Sequence, residues 1–128
     1  MKALVTGGTG FIGSHLTERL LNLGYEVGVI DLSGAAYRNL DHVTANRRSL
    51  NYFCVDIGGY NSCQIILKLL KIHKFDYVFH LAGMADIVLS INKPVDYFNA
   101  NVAGTINALE AARQAGVKKF VYISSSSV

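Results

Sequence analysis

Val5-Thr6-Gly7-Gly8-Thr9-Gly10-Phe11-Ile12-Gly13 follows a short apolar run, Ala3-Leu4-Val5, and opens a segment in which Ile12, Leu16, Leu20 and Leu23 recur at helical spacing. The order is therefore strand, glycine turn, helix. Gly7 lets the chain turn sharply off the strand, and Gly10 removes a side chain where a diphosphate must approach the backbone. Gly13 lets the helix pack closely on the strand. A diphosphate placed there meets the leading N–H groups at Phe11, Ile12 and Gly13 and the positive end of the helix dipole. The plain alternative is a glycine-rich turn with no ligand.

A second anchor lies downstream. Gly24 falls where a left-handed helix cap belongs, and Glu26-Val27-Gly28-Val29-Ile30 reads as a buried strand ending at Asp31. Asp31 stands 18 residues beyond Gly13, close to the roughly 20-residue spacing at which an acidic residue takes the ribose hydroxyls of NAD. Its charge repels the extra phosphate of NADP, although Arg38, Arg47 and Arg48 keep a phosphate site conceivable.

Bulk composition narrows the classes. The chain has 128 residues, 51% hydrophobic and 16% charged, with a net charge of +3. These values suit one domain, residues 1–128, built as a sheet covered by helices. Arg47-Arg48 and Lys118-Lys119 are the only adjacent basic pairs, so no nucleic-acid footprint is expected. Cys54 and Cys63 form no Cys-x-x-Cys pair and no metal pattern, and read as buried, reduced thiols. No leader pattern and no membrane-length apolar run occurs, so no membrane partner and a cytoplasmic location are expected.

Farther along, Leu32 to Arg48 is weakly patterned and reads as a loop with one short helix near Leu40 to Ala45. Asn51 to Val55 is a third strand, ended by Asp56-Ile57, where Asp56 can cap the next turn. Asn61 or Ser62 caps a helix to about His73, with Ile65, Ile66, Leu69 and Leu70 facing the sheet. Phe75 to His80 is a fourth strand, and a histidine at a strand end is more often structural than catalytic. After a loop, Pro94 starts a long helix to Ala115, stopped by Gly116, with Val95, Phe98, Val102, Ile106, Leu109 and Ala112 as its inward stripe. Lys119 to Ile123 reads as a buried fifth strand running into Ser124 to Ser127, a polar cluster at the strand end where open α/β sheets bind ligands.

The Gly-x-x-Gly-x-x-Gly spacing behind Thr6, His80-Leu81-Ala82-Gly83, and Asn101-Val102-Ala103-Gly104-Thr105 together resemble the extended short-chain dehydrogenase/reductase family, in its NAD-dependent nucleotide-sugar epimerase and dehydratase group. The resemblance covers the whole chain. It implies a Rossmann-type, doubly wound parallel sheet in a three-layer α/β/α arrangement with strand order 3-2-1-4-5, cut after the fifth strand. It also implies that Asp56 and Ile57 meet the adenine, that Leu81, Ala82 and Gly83 lie along the cofactor, and that Asn101 helps hold that side, with Asn99 a weaker candidate. Ser125, and next Ser124, match the serine that hydrogen-bonds the substrate's reacting oxygen. The family's base is the Tyr of a Tyr-x-x-x-Lys motif beyond that strand, which these residues do not contain. Two expectations stand: the cofactor-holding part of a nucleotide-sugar epimerase or dehydratase, inactive by itself, or a module that holds NAD or merely keeps the fold. Self-association through an open edge of the fifth strand is expected in either case.

Overall fold

Five strands form one parallel sheet: β1 (Lys2–Thr6), β2 (Glu26–Asp31), β3 (Leu50–Cys54), β4 (Tyr77–His80) and β5 (Lys119–Tyr122). Their order is β3-β2-β1-β4-β5, as expected. The structure, a computed structural model, describes residues 1–32, 39–41 and 49–125. The expected short helix near Leu40 to Ala45 falls largely outside the described residues, as do Arg38, Arg47 and Arg48. Successive side chains of β1 point to opposite faces, which is why an all-apolar strand can sit in the middle of the sheet. Ala3 and Val5 join Val27, Val29, Leu20 and Leu21 on one face. Leu4 joins Ile30, Ile66, Leu70, Val78 and Ala108 on the other. Each of the larger aliphatic side chains so buried contributes roughly 1.5–3 kcal/mol.

The covering layers are α1 (Phe11–Asn22) on the first face, and α2 (Ser62–His73) packed against α5 (Gly104–Ala115) on the second. Between β4 and α5 lie α3 (Ile87–Asn92), which sequence reading left as loop, and α4 (Pro94–Phe98). The expected long helix does run from Pro94 to Ala115, but residues Asn99–Ala103 widen into a π-helical turn. Gly24 and Gly116 take the left-handed conformation expected of them, at φ +81° and +70°.

Several faces differ from expectation. In α1 the buried residues are Gly13, Ser14, Thr17, Leu20 and Leu21, while Ile12 and Leu23 are exposed. In α2 the side chain of Asn61 caps nothing, and Leu67 is buried in place of Ile65. The largest difference is in the long helix: Gly104, Ala108, Ala111 and Ala112 are buried, and Val95, Phe98, Val102, Ile106 and Leu109 are exposed. Small residues let a helix axis approach its neighbour closely, so they won the inward face over the larger apolar stripe. β5 is half-exposed, pairing with β4 alone among the described strands. Cys54, on the other outer strand, is exposed, and both cysteines are free.

Candidate cofactor-binding cleft

Because all five strands are parallel, their carboxyl ends open on the same edge of the sheet, and the glycine turn lies there. The Gly7 N–H donates to the Ile30 carbonyl at 2.8 Å, and the Gly10 N–H to the Gly7 carbonyl at 3.1 Å. Gly7 has φ +68°, and a β-carbon there would stand 2.7 Å from the Ala82 nitrogen. A β-carbon at Gly13 would stand 2.0 Å from the Gly7 oxygen. The chain itself therefore demands these two glycines. Gly10 differs: its β-carbon would meet only the Gly7 oxygen, at 3.3 Å. No side chain caps the start of α1, and Phe11 and Ile12 there are exposed. An anion has open access to this helix end.

Asp31 ends β2 beside the turn. Its Oδ2 accepts the Thr9 N–H at 3.1 Å and also the Thr9 hydroxyl, and its Oδ1 accepts the Leu32 N–H at 2.8 Å. The Asn39 amide in turn donates to the Thr9 carbonyl at 2.8 Å. Sequence reasoning missed Thr9 and Asn39; the hydroxyl inside the glycine motif was the one available signal. Asp56 does cap a turn, since its Oδ1 accepts the Gly58 N–H at 2.9 Å. Ile57 is buried, with its side chain against Gly104. Both nevertheless line a hollow of about 220 Å³ together with Gly7, Gly10, Asp31 and the Leu81–Met84 strap.

That strap leaves β4 under tight control. The Leu81 N–H donates to the Thr6 carbonyl at 3.1 Å, and the Ala82 N–H to the Thr6 hydroxyl at 3.3 Å. The Asn101 side chain takes both polar groups of Met84, accepting its N–H at 2.7 Å and donating to its carbonyl at 2.9 Å. Gly83 lies under the same amide: a β-carbon there would stand 3.1 Å from Asn101 Oδ1. Asn99 instead gives its carbonyl to the π-turn bond from Gly104.

On the far side of the strap, Ser124 and Ser125 line a hollow of about 390 Å³ with Asn101, Thr105 and Tyr122. His80 reaches this wall fully buried, and burial pushes its pKa down to about 4, so it is neutral at ordinary pH. A third hollow, about 240 Å³, joins Gly10, Phe11 and Ile12 to Ile123. Leu81 borders all three. The sites read from the sequence thus fall along one edge, carboxylates at one end, bare N–H groups in the middle, hydroxyls at the other. This donor set fits a dinucleotide: acceptors for ribose hydroxyls, donors for a diphosphate, and no side chain at Gly10. Among the described residues no group of three His, Cys, Asp or Glu side chains is placed to hold a metal.

Comparison with known proteins gives the family of the chain. The family model "NAD dependent epimerase/dehydratase family" matches residues 3–128. UDP-glucose 4-epimerase of Mus musculus is 39% identical over 135 residues, covering 99% of this chain and 38% of that protein. A UDP-glucose 4-epimerase of Klebsiella pneumoniae is 34% identical over 137 residues, covering 100% of this chain and 91% of that sequence. The solved UDP-glucose-4-epimerase of Stenotrophomonas maltophila, with bound NAD and formylated UDP-arabinopyranose, has a TM-score of 0.88 at 31% identity and covers 100% of this chain and 38% of its own. The chain thus spans little more than a third of the mouse protein and of this solved structure. With its fold, its glycine turn and a match over nearly every residue, the chain belongs to the NAD-dependent epimerase/dehydratase family.

Proposed function

We propose that this chain is the NAD-holding portion of a nucleotide-sugar epimerase or dehydratase. The observation that carries the reading is the contrast among the glycines: the fold requires Gly7 and Gly13, whereas a β-carbon at Gly10 would meet only the Gly7 oxygen, at 3.3 Å, beside an uncapped helix end. A cofactor diphosphate accounts for it. Phe11 and Ile12 would offer it their N–H groups, and Asp31 would accept the ribose hydroxyls. Asp56, Ile57 and the Leu81–Gly83 strap would border the adenosine, with Asn101 holding the strap. NAD, when bound, supplies reversible hydride transfer at a sugar hydroxyl carbon.

Ser125, with Ser124 beside it, would donate or accept a hydrogen bond at that hydroxyl. A serine is a weak base without an activating neighbour, and general acid–base assistance contributes typically about 10²–10⁴-fold. The chain contains no Tyr-x-x-x-Lys pair, so it binds cofactor without turning over a nucleotide sugar. We place it in the cytoplasm, where its free cysteines stay reduced; among the described residues no helix is long and apolar enough to cross a membrane. The β5 edge, which pairs with β4 alone among the described strands, carries the further proposal of self-association. A concentration-independent monomer in sedimentation would remove that part.

Calorimetric titration with NAD and NADP tests the cofactor reading. NAD should bind more tightly, because Asp31 would face a phosphate dianion in NADP. A charge-assisted hydrogen bond is worth roughly 1.5–3 kcal/mol, so Asp31→Ala should weaken NAD binding about tenfold or more. Equal affinities, unchanged by the substitution, would overturn the assignment. The same samples given UDP-glucose should show no change in epimer ratio.

A further inference from the structure

His80 is more than a buried ring, because its two nitrogens connect the glycine-turn strand to the helix that carries Asn101. The direction of each hydrogen bond follows from Thr105. Its hydroxyl has one hydrogen, and at 2.6 Å from the Asn101 carbonyl that hydrogen is given to the carbonyl. The same oxygen lies 3.0 Å from His80 Nε2, so Nε2 must be the donor there. Nδ1 then carries the lone pair and accepts the Thr6 hydroxyl at 2.8 Å. That leaves the Thr6 oxygen to accept the Ala82 N–H. One assignment satisfies every bond: Ala82 N–H to Thr6, Thr6 O–H to His80, His80 Nε2–H to Thr105, Thr105 O–H to Asn101.

We propose that His80 is a positioning residue, whose Nε2–H tautomer locks the π-turn of Asn101 to β1 and so fixes the Leu81–Met84 strap along the cofactor. The chain of bonds starts on the strap, at Ala82, and ends at Asn101, whose side chain returns to the strap at Met84. The loop of contacts is closed only while His80 accepts on one side and donates on the other. An imidazolium has no acceptor for Thr6, and the Nδ1–H tautomer sets two acceptors against each other at Thr105. The ring also meets Phe120, tilted at 5.7 Å, and Tyr122, stacked at 5.9 Å. The functional part rests on the cofactor reading above; the bonding pattern does not.

The test uses the whole chain. Long-range ¹H–¹⁵N spectra should show His80 protonated at Nε2, bare at Nδ1, and unchanging between about pH 5 and 8. His80→Phe keeps a ring of similar size and removes both bonds. It should speed hydrogen exchange at the Met84 amide and weaken NAD binding about tenfold. His80→Gln, whose amide nitrogen reaches the Nε2 position, should recover much of both. Thr105→Val should act like His80→Phe, and combining the two should add little. An Nδ1–H tautomer, a ring that titrates near neutrality, or a Thr105→Val chain with parental Met84 exchange would overturn the proposal. So would His80→Gln behaving no better than His80→Phe. If His80→Phe does not fold, the spectra and Thr105→Val decide. If the parent binds no NAD, the cofactor reading fails, while the tautomer and the Met84 exchange still judge the relay.

Discussion

A methyl group added to each glycine of the turn meets something different. At Gly13 it would press on a carbonyl 2.0 Å away, at Gly7 on the Ala82 backbone, and at Gly10 only on the Gly7 carbonyl oxygen, 3.3 Å away, a close contact that a shift of a few tenths of an ångström relieves. Gly10 also has φ −67° and ψ 174°, a conformation any residue adopts. Gly10→Val should therefore keep most of the thermal stability while lowering NAD affinity by at least about tenfold, or ~1.4 kcal/mol. Gly13→Ala should instead fail to fold stably. Titration and thermal melts on the two variants separate the cases, and parental NAD binding by Gly10→Val would make the turn structural. These glycines and Asp31 were legible because they lie in one local pattern. Thr9, Asn39 and Thr105 were not, because their partners at the site sit 22, 30 and 25 residues away in sequence.

Among the elements, α5 shows what periodicity can and cannot tell. Its helical period was plain, yet an amphipathic pattern does not say which stripe of a helix goes inward when two are available. Close approach decided it. Gly104 sits so near Ile57 that a β-carbon would lie 2.7 Å from its Cγ1. Gly104→Ala should cost about 1–3 kcal/mol through overpacking. Ile57→Ala in the same chain should restore part of that loss, and urea unfolding of the single and double variants measures the coupling. The π-turn just before Gly104 has no sequence signature of its own. It holds Asn101, whose side chain bonds Met84, and such wide turns recur at functional sites.

For the whole molecule, the parallel sheet of order 3-2-1-4-5 covered by helices was legible in the alternation of strands and helices, since right-handed crossovers leave few other sheets. Acid should test how that sheet is held. His80 has an ordinary pKa of 6.5 when unfolded and about 4 when folded. As pH falls below 6.5 the unfolded chain takes the proton first, so stability drops between about pH 6.5 and 4 and this group contributes no slope above. The full loss is on the order of 3 kcal/mol. Asp76 and Glu110, whose carboxyls are held below their usual range by hydrogen bonds from Lys118 and Arg113, add their loss from about pH 4.5 downward, overlapping only the foot of the His80 slope. Denaturant midpoints across this range should show the upper slope in the parent and not in Thr6-, Thr105-intact His80→Phe.

The position of β1 has a consequence in time. Its Thr6 pairs with Ile30 on one side and with His80 on the other. The second partner lies 74 residues later in the chain. At synthesis rates of about 5–20 residues per second, β1 leaves the ribosome roughly 4–15 s before β4 does. Through that interval Leu4 and Val5, later sealed from solvent, have at most one neighbouring strand, and none until β2 is made. The strand that carries the glycine turn is thus made early and completed late, and the cleft cannot receive a dinucleotide until the fourth strand has arrived.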